Sequence, residues 1–360
     1  MKEVPFLCRV LRIQHHKYST FLYVAGFAEA RQLIIEQALF ETSKIQPLSV
    51  IRGLCDVIEN HAGKRVYRIV RLDSVIPSLN QKKCIEDYTN KAIAFRRCRC
   101  ETISQAKDFL RGEGFLETCS PFTLPYRGTS TAQPLKVEGE YIHRYTKITH
   151  ELGLKQAMCN LLSPVFEIGY VACDTYITKA RWFEYTVLEF VSPLHDISFI
   201  ERFIKKFIDI ATENADRYKL EHRNFAALQT LSMRNEQCSP VEFASARKAV
   251  KNTIFLDAPT VSPLVKTVGG QKTETIWILD GESMAHGYCD ETDWKAFYDF
   301  CKDQMMALQK KEVQGEISED FLSVMRCGLP DSISIGMGMD RFFQKFFGID
   351  SLKEYHRLFG

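Results

Sequence analysis

Long apolar runs are missing from this chain: no stretch approaches the ~20 residues that a membrane-spanning helix needs. The opening residues, Met1-Lys2-Glu3-Val4-Pro5, lack the basic-then-apolar pattern of a secretory signal. Paired cysteine spacing is absent too. The 12 cysteines are scattered from Cys8 to Cys327, so no disulfide framework is read from them. Cys98-x-Cys100 has one intervening residue where a zinc knuckle needs roughly two to four. Free thiols in a reducing compartment are the simplest account. Nor does one sign of charge dominate: 47 Lys+Arg face 45 Asp+Glu, a net charge of +2. These absences lead us to expect a soluble, cytoplasmic protein with no membrane contact.

What is present is an ordinary globular composition, 45% hydrophobic and 26% charged, in a chain of 360 residues, long enough for two domains. Charge is uneven along it. Residues 1–100 hold 17 Lys/Arg against 9 Asp/Glu, a surplus of 8 that leaves −6 for the remainder. A basic module beside an acidic one is compatible with a nucleic-acid surface and equally with plain variation. Short runs rich in Val, Ile, Leu and aromatics occur at 6–13, 20–26, 32–36, 49–57 and 66–71, with Gly, His-His or Ser-Thr breaks between them. Five such strands with a small helical insert predict an OB-type barrel over 1–76, a fold that binds oligonucleotides across one face. Residues 77–100 read as a linker, and 101–360 as a second domain.

In that second domain, period-3.6 spacing predicts helices over 102–111 and 196–218, the latter with Ile197, Ile200, Phe203, Ile204, Phe207 and Ile208 on its core side. Near the end lies Gly336-Met337-Gly338-Met339-Asp340-Arg341, followed by the apolar run Phe342 to Phe347. The glycines and the run predict a strand passing directly into a helix, with Asp340 at its start and Arg341 on its first turn.

Six segments, in order, resemble class II aminoacyl-tRNA synthetases in their lysyl form. Gly112 to Phe122 is similar to the first signature motif, a helix, glycine stop, strand and proline (Pro121). Gly128-Thr129-Ser130-Thr131-Ala132-Gln133-Pro134-Leu135 resembles the family's G-G-A-x-A-R-P-F loop. Lys147 to Lys155, with Glu151-Leu152-Gly153-Leu154-Lys155, resembles L-R-I-A-P-E-L-Y-L-K. Val165-Phe166-Glu167-Ile168-Gly169 and Arg181-x-x-x-Tyr185-x-x-x-Glu189 resemble the second signature motif. Val261 to Lys266 resembles its S-P-L-A-R/K strand, and Gly328-Leu329-Pro330 leading to Asp340-Arg341 resembles the third motif.

The resemblance implies an α+β catalytic domain, an antiparallel sheet flanked by helices, and a homodimer through the segment around Pro121. It implies ATP with Mg2+ as cofactors, and an amino acid and tRNA or another acceptor as partners. Arg181 and Arg341 inherit the catalytic contacts to phosphate. Tyr185, Gly338 and Arg341 inherit the nucleotide site, with adenine between Tyr185 and Arg341. Gly128, Glu151, Glu189, His286, Tyr288 and Asp290 inherit the amino-acid site, Glu151 on the α-ammonium and Asp290 with Glu189 on a basic side chain.

Two departures bear on activity. Cys173 stands where the family has the arginine that grips the α-phosphate, and a thiol cannot replace a bidentate guanidinium. Ser283 stands where the family has a magnesium-binding glutamate; the adjacent Glu282 is the one candidate substitute, although a neighbouring strand residue points the other way. Two function classes follow. One is an enzyme that activates a basic amino acid as its adenylate. The other is an inactive synthetase-like binding or regulatory dimer.

Overall fold

The computed structural model describes residues 3–27, 29–60, 62–78, 90–125, 132–220, 228–233, 238–309 and 319–359. It divides into two compact units: Met1–Cys98 with Arg217–Leu220 and Arg357–Gly360, and Arg99–Asp216 with Glu221–His356. Of the linker expected at 77–100, residues 79–89 lie outside the described residues, and 90–100 form the start of a helix, α2, Asn90–Gly112. The helix expected at 102–111 is the second half of α2.

The first unit is a closed five-stranded barrel built from β1 (Glu3–His15), β2 (Ser19–Ala25), β3 (Gln32–Glu36), β4 (Val50–Glu59) and β5 (Arg65–Ile76), in the order β1-β2-β3-β5-β4. A seven-residue helix, α1 (Gln37–Ser43), sits between β3 and β4. Alternation along each strand sends Phe6, Cys8, Val10, Leu22, Val24, Leu33, Ile35 and Ile51 inward to one apolar core. Closure needs a kink. The β4–β5 register shifts between Arg52 and Gly53, and a Cβ at Gly53 would sit 2.0 Å from the Arg71 carbonyl oxygen. Only glycine fits there. The OB-like barrel expected from strand rhythm is therefore present.

The second unit is organised by one sheet. Its strands are β6 (Leu116–Glu117), β7 (Val165–Asp174), β8 (Glu184–Ser192), β9 (Gln229–Leu231), β10 (Asn252–Pro259), β11 (Gln271–Leu279), β12 (Glu282–Cys289) and β13 (Ile333–Gly338). The path is β9-β10-β11-β12-β13-β8-β7-β6. Pairing is antiparallel from β10 to β7, as expected, and parallel at the two edges, β9–β10 and β6–β7.

One face of this sheet is covered by α4, Ser198–Arg217, which buries Phe199, Ile200, Phe203, Ile204 and Phe207. The helix comes so near that a Cβ on Gly287 of β12 would lie 2.7 Å from Ile200. Strand alternation then sends the neighbours His286 and Tyr288 to the opposite face. Their cross-strand partners Gly336 and Ser334 face the same way, and so does Glu189, which pairs with Gly336. That face floors the cavity described below. The expected strand-into-helix passage is β13 followed by α8, Met339–Phe346. Asp340 does not cap α8. It is 2% exposed, and its Oδ2 accepts the backbone N–H of Thr186 on β8 at 2.8 Å. An isolated N-terminal carboxylate gains from water and the helix dipole, whereas this one is buried and serves to fasten the helix to the sheet.

Candidate active site

A cavity of about 660 Å³ opens over the sheet, lined from β7, β8, β12, β13, α8 and the start of α3 (Glu151–Leu161). Its two ends differ in charge.

The acidic end is built on α3. Glu151 and Lys155 lie one turn apart on one helix face, and both are buried. The Lys155 Nζ donates to Glu151 Oε1 at 2.5 Å and lies 3.0 Å from Asp290 Oδ1. Asp290 also accepts from the Ser332 and Ser334 hydroxyls at 2.6 and 2.8 Å. Tyr288 donates its hydroxyl to Glu151 Oε1 at 2.7 Å. Glu189 accepts the backbone N–H of His150 at 2.7 Å and the Thr149 hydroxyl at 2.8 Å.

Two buried carboxylates, Glu151 and Asp290, thus share one lysine, and a third, Glu189, is buried close to Glu151. Burial works against the charge of Lys155, but the two acids more than restore it and raise its pKa. Burial pushes both Asp290 and Glu189 up, against the groups that bond them. One cation shared by two acids leaves this cluster short of positive charge.

The expected role of Asp290 needs correction at this point. It is 1% exposed and does not line the cavity; its cation is Lys155 of the same chain. Glu151 and Glu189 do line it.

The basic end holds Arg181, Tyr185 and Arg341 along the cavity wall, with Gly338 beside them. Arg341 donates from Nη1 to the Ser283 carbonyl at 2.9 Å, while its buried Nε has no hydrogen-bond partner. Burial lowers its pKa, opposed by Glu282 and Tyr185. Arg341 and Arg181 both line the cavity, and guanidiniums there fit an anionic ligand such as a nucleotide phosphate. Cys173 also lines the cavity and is hydrogen-bonded to the side chain of Tyr185; burial pushes its thiol up, keeping it neutral. Trp182, given no role from the sequence, lines the cavity and stacks on His356 with ring centroids 5.4 Å apart.

The third wall is β12. Ser283 and His286 both line the cavity and bond each other, Ser283 Oγ to His286 Nε2, at 2.7 Å. Glu282 does not line it. Among the described residues no group of three or more His, Cys, Asp or Glu side chains could hold a metal ion. Mg2+ takes near-octahedral oxygen ligands, and a serine already bonded to histidine does not replace a carboxylate. These donors do not fit a Mg2+ ion. Gly128, expected in the amino-acid site, lies outside the described residues.

The structure therefore brings together Glu151, Glu189, His286, Tyr288, Arg181, Tyr185, Gly338 and Arg341 around one cavity, and leaves Asp290 and Glu282 behind its wall. Sequence reasoning missed Lys155, although Glu-x-x-x-Lys on one helix face signals an ion pair. It also missed Glu274, which bonds His286; nothing in an alternating strand marks that residue.

Residues 79–358 match the family described as tRNA synthetases class II (D, K and N). A lysine–tRNA ligase of Sulfolobus acidocaldarius is 22% identical over 322 residues, covering 74% of this chain and 64% of that protein. One from Campylobacter jejuni is 23% identical over 294 residues, covering 68% and 59%. The chain thus spans less than two thirds of the length of these relatives. Among solved structures, asparaginyl-tRNA synthetase from Pyrococcus horikoshii complexed with asparaginyl-adenylate superposes with a TM-score of 0.76, covering 99% of this chain and 94% of that one at 14% identity, which speaks for the fold. With most of its length matched by the family, this chain belongs to the class II tRNA synthetases (D, K and N).

Proposed function

We propose that this cavity binds a basic amino acid and ATP and joins them as an aminoacyl adenylate, for transfer to tRNA or another acceptor. The observation that carries the reading is that Arg181, Tyr185 and Arg341 line the same cavity as the carboxylates Glu151 and Glu189. Glu151 and Glu189 receive the α-ammonium. The basic side chain is supported by a single lysine shared between two buried carboxylates, with Glu189 buried close to Glu151, and not by Asp290 directly. Tyr185, Gly338, Arg181 and Arg341 hold the nucleotide, with adenine between the Tyr185 ring and the Arg341 guanidinium. Class II synthetases use ATP and Mg2+. The residues of this chain do their part without a metal step: the guanidiniums neutralise phosphate charge and the carboxylates position the ammonium. A second reading, a binding or regulatory dimer without activation chemistry, is favoured by one observation. Cys173 is neutral and bonded to Tyr185 where a phosphate-gripping arginine would stand.

Amino-acid-dependent ATP–pyrophosphate exchange across a panel of amino acids separates the two. Exchange with lysine or another basic amino acid is the expected result, and none with any amino acid leaves the second reading. Nucleotide titration of Arg341→Ala should show affinity weakened about tenfold, since stacking and cation contacts on a base are worth ~1–3 kcal/mol. Unchanged affinity removes the adenine assignment.

The protein is also expected to be a homodimer through the segment around Pro121, where Leu116, on the edge strand β6, and Phe122 are 47% and 43% exposed. A monomer by light scattering at micromolar concentration contradicts this.

A further inference from the structure

The β12 wall carries an arrangement that amino-acid activation does not use. Ser283 Oγ lies 2.7 Å from His286 Nε2, and His286 Nδ1 lies 3.0 Å from Glu274 Oε2. An ionised carboxylate only accepts hydrogen bonds, so Glu274 holds the imidazole proton on Nδ1. The lone pair of Nε2 is then left facing the serine hydroxyl. Hydroxyl, imidazole and orienting carboxylate stand in the order that activates a serine nucleophile.

The backbone builds this deliberately. Ser283 and His286 are three apart, which on a regular strand puts them on opposite faces. The β11–β12 pairing shifts between Trp277 and Ile278: Ala285 pairs with Trp277 and Ser283 with Ile278, so Met284 is an extra residue. This bulge returns both side chains to the cavity face. Glu274 comes from β11, its side chain 11% exposed. Arg341 is anchored to the Ser283 carbonyl at 2.9 Å, which sets a guanidinium beside the nucleophile.

We propose that Ser283 is an acyl-accepting nucleophile, and that this cavity hydrolyses activated acyl esters through an acyl-serine. In the first step the Ser283 Oγ–carbon bond forms and the bond from that carbon to the leaving-group oxygen breaks. The hydroxyl proton passes to His286 Nε2 and on to the leaving oxygen. Water then attacks the acyl carbon, gives its proton to Nε2, and the carbon–Oγ bond breaks with that proton returned to Ser283. The products are a carboxylic acid and an alcohol, with no oxidant or reductant consumed. His286 is the base, Glu274 a positioning residue that acts through it, and Arg341 the positive charge nearest the developing oxyanion. Adenylate formation is not required for any of these steps.

The test is labelling of the full chain with a biotinylated fluorophosphonate, which loses fluoride to an activated serine, together with hydrolysis of p-nitrophenyl acetate. One label on the peptide that contains Ser283 is expected, and neither label nor hydrolysis in Ser283→Ala. His286→Gln should slow modification at saturating probe by at least ~100-fold, the scale of a lost general base. Glu274→Gln should slow that first-order step ~10-fold or more with the half-saturating probe concentration unchanged, whereas a merely structural role would move both. Wild-type protein with a cooperative thermal melt that takes no label at Ser283 overturns the proposal. So does labelling that His286→Gln leaves at full rate, or hydrolysis that survives Ser283→Ala.

Discussion

Lys155→Met is expected to destabilise the second unit by ~3–5 kcal/mol, the scale for removing one partner of a buried ion pair. Methionine fills nearly the same volume, so the loss is electrostatic rather than a cavity effect. Lys155 is 1% exposed, and its ammonium is shared between Glu151 and Asp290 at 2.5 and 3.0 Å. Without it, two buried carboxylates lose their only close cation among the described residues, beside a third, Glu189. Lys155→Met with Asp290→Asn should recover part of the loss, because the amide removes one of the stranded charges. Urea unfolding followed by tryptophan fluorescence measures both variants. A single variant as stable as the parent, or a double variant less stable than the single, shows that Lys155 is not neutralising these acids.

Glu167→Gln is expected to cost about 3 kcal/mol, and the stability it removes should vanish on its own at low pH. Glu167 is 3% exposed at the centre of a second polar cluster. Lys147 Nζ donates to its Oε1 at 2.7 Å, and the Ser120 N–H and hydroxyl donate to its Oε2 at 2.9 and 2.7 Å. His150 Nδ1 is 3.1 Å from Oε1, but too poorly aligned for a full hydrogen bond. Burial alone would raise this carboxyl's pKa; His150, Lys147 and Ser120 outweigh it and hold it down to about 2. A depressed pKa contributes stability above the unfolded value near 4.5, lost as pH falls from there through about 2. The parent should therefore lose stability across that window, and Glu167→Gln should lose markedly less. Parallel slopes for the two proteins between pH 5 and 2 contradict the assignment.

Much of the fold was legible because its signals are periodic. Five β runs matched five barrel strands, and Ile200, Phe203, Ile204 and Phe207 at helical spacing announced the buried face of α4, whereas Ile197, read onto that face, lies just before the helix and is exposed. The candidate site was legible only in part, since motif positions identify residue types but not their partners. Glu151 and Glu189 reach the cavity because each follows the phase of its own element. Asp290 does not: it is buried and paired with Lys155, which reaches it from α3. Asp340 was read from its helix alone, while Thr186 on β8 determines what it binds. Glu274 was invisible for the same reason: a cross-strand neighbour of His286 is set by register, which no local pattern reports.

The bulge at Met284 has a consequence for how this chain could diverge from its relatives. Below it, β12 is paired with β13 from Ala285 to Cys289, which locks the phase of His286 and Tyr288. Above it, Glu282 and Ser283 answer to the tight turn Asp280-Gly281, both at positive φ, and to β11 alone. The bulge is a joint between two stretches of β12 with different pairing. A substitution or a change of length on the turn side can rewrite the chemistry next to Arg341 while the ammonium end of the cavity keeps its geometry. Ser283 lies on the turn side of that joint.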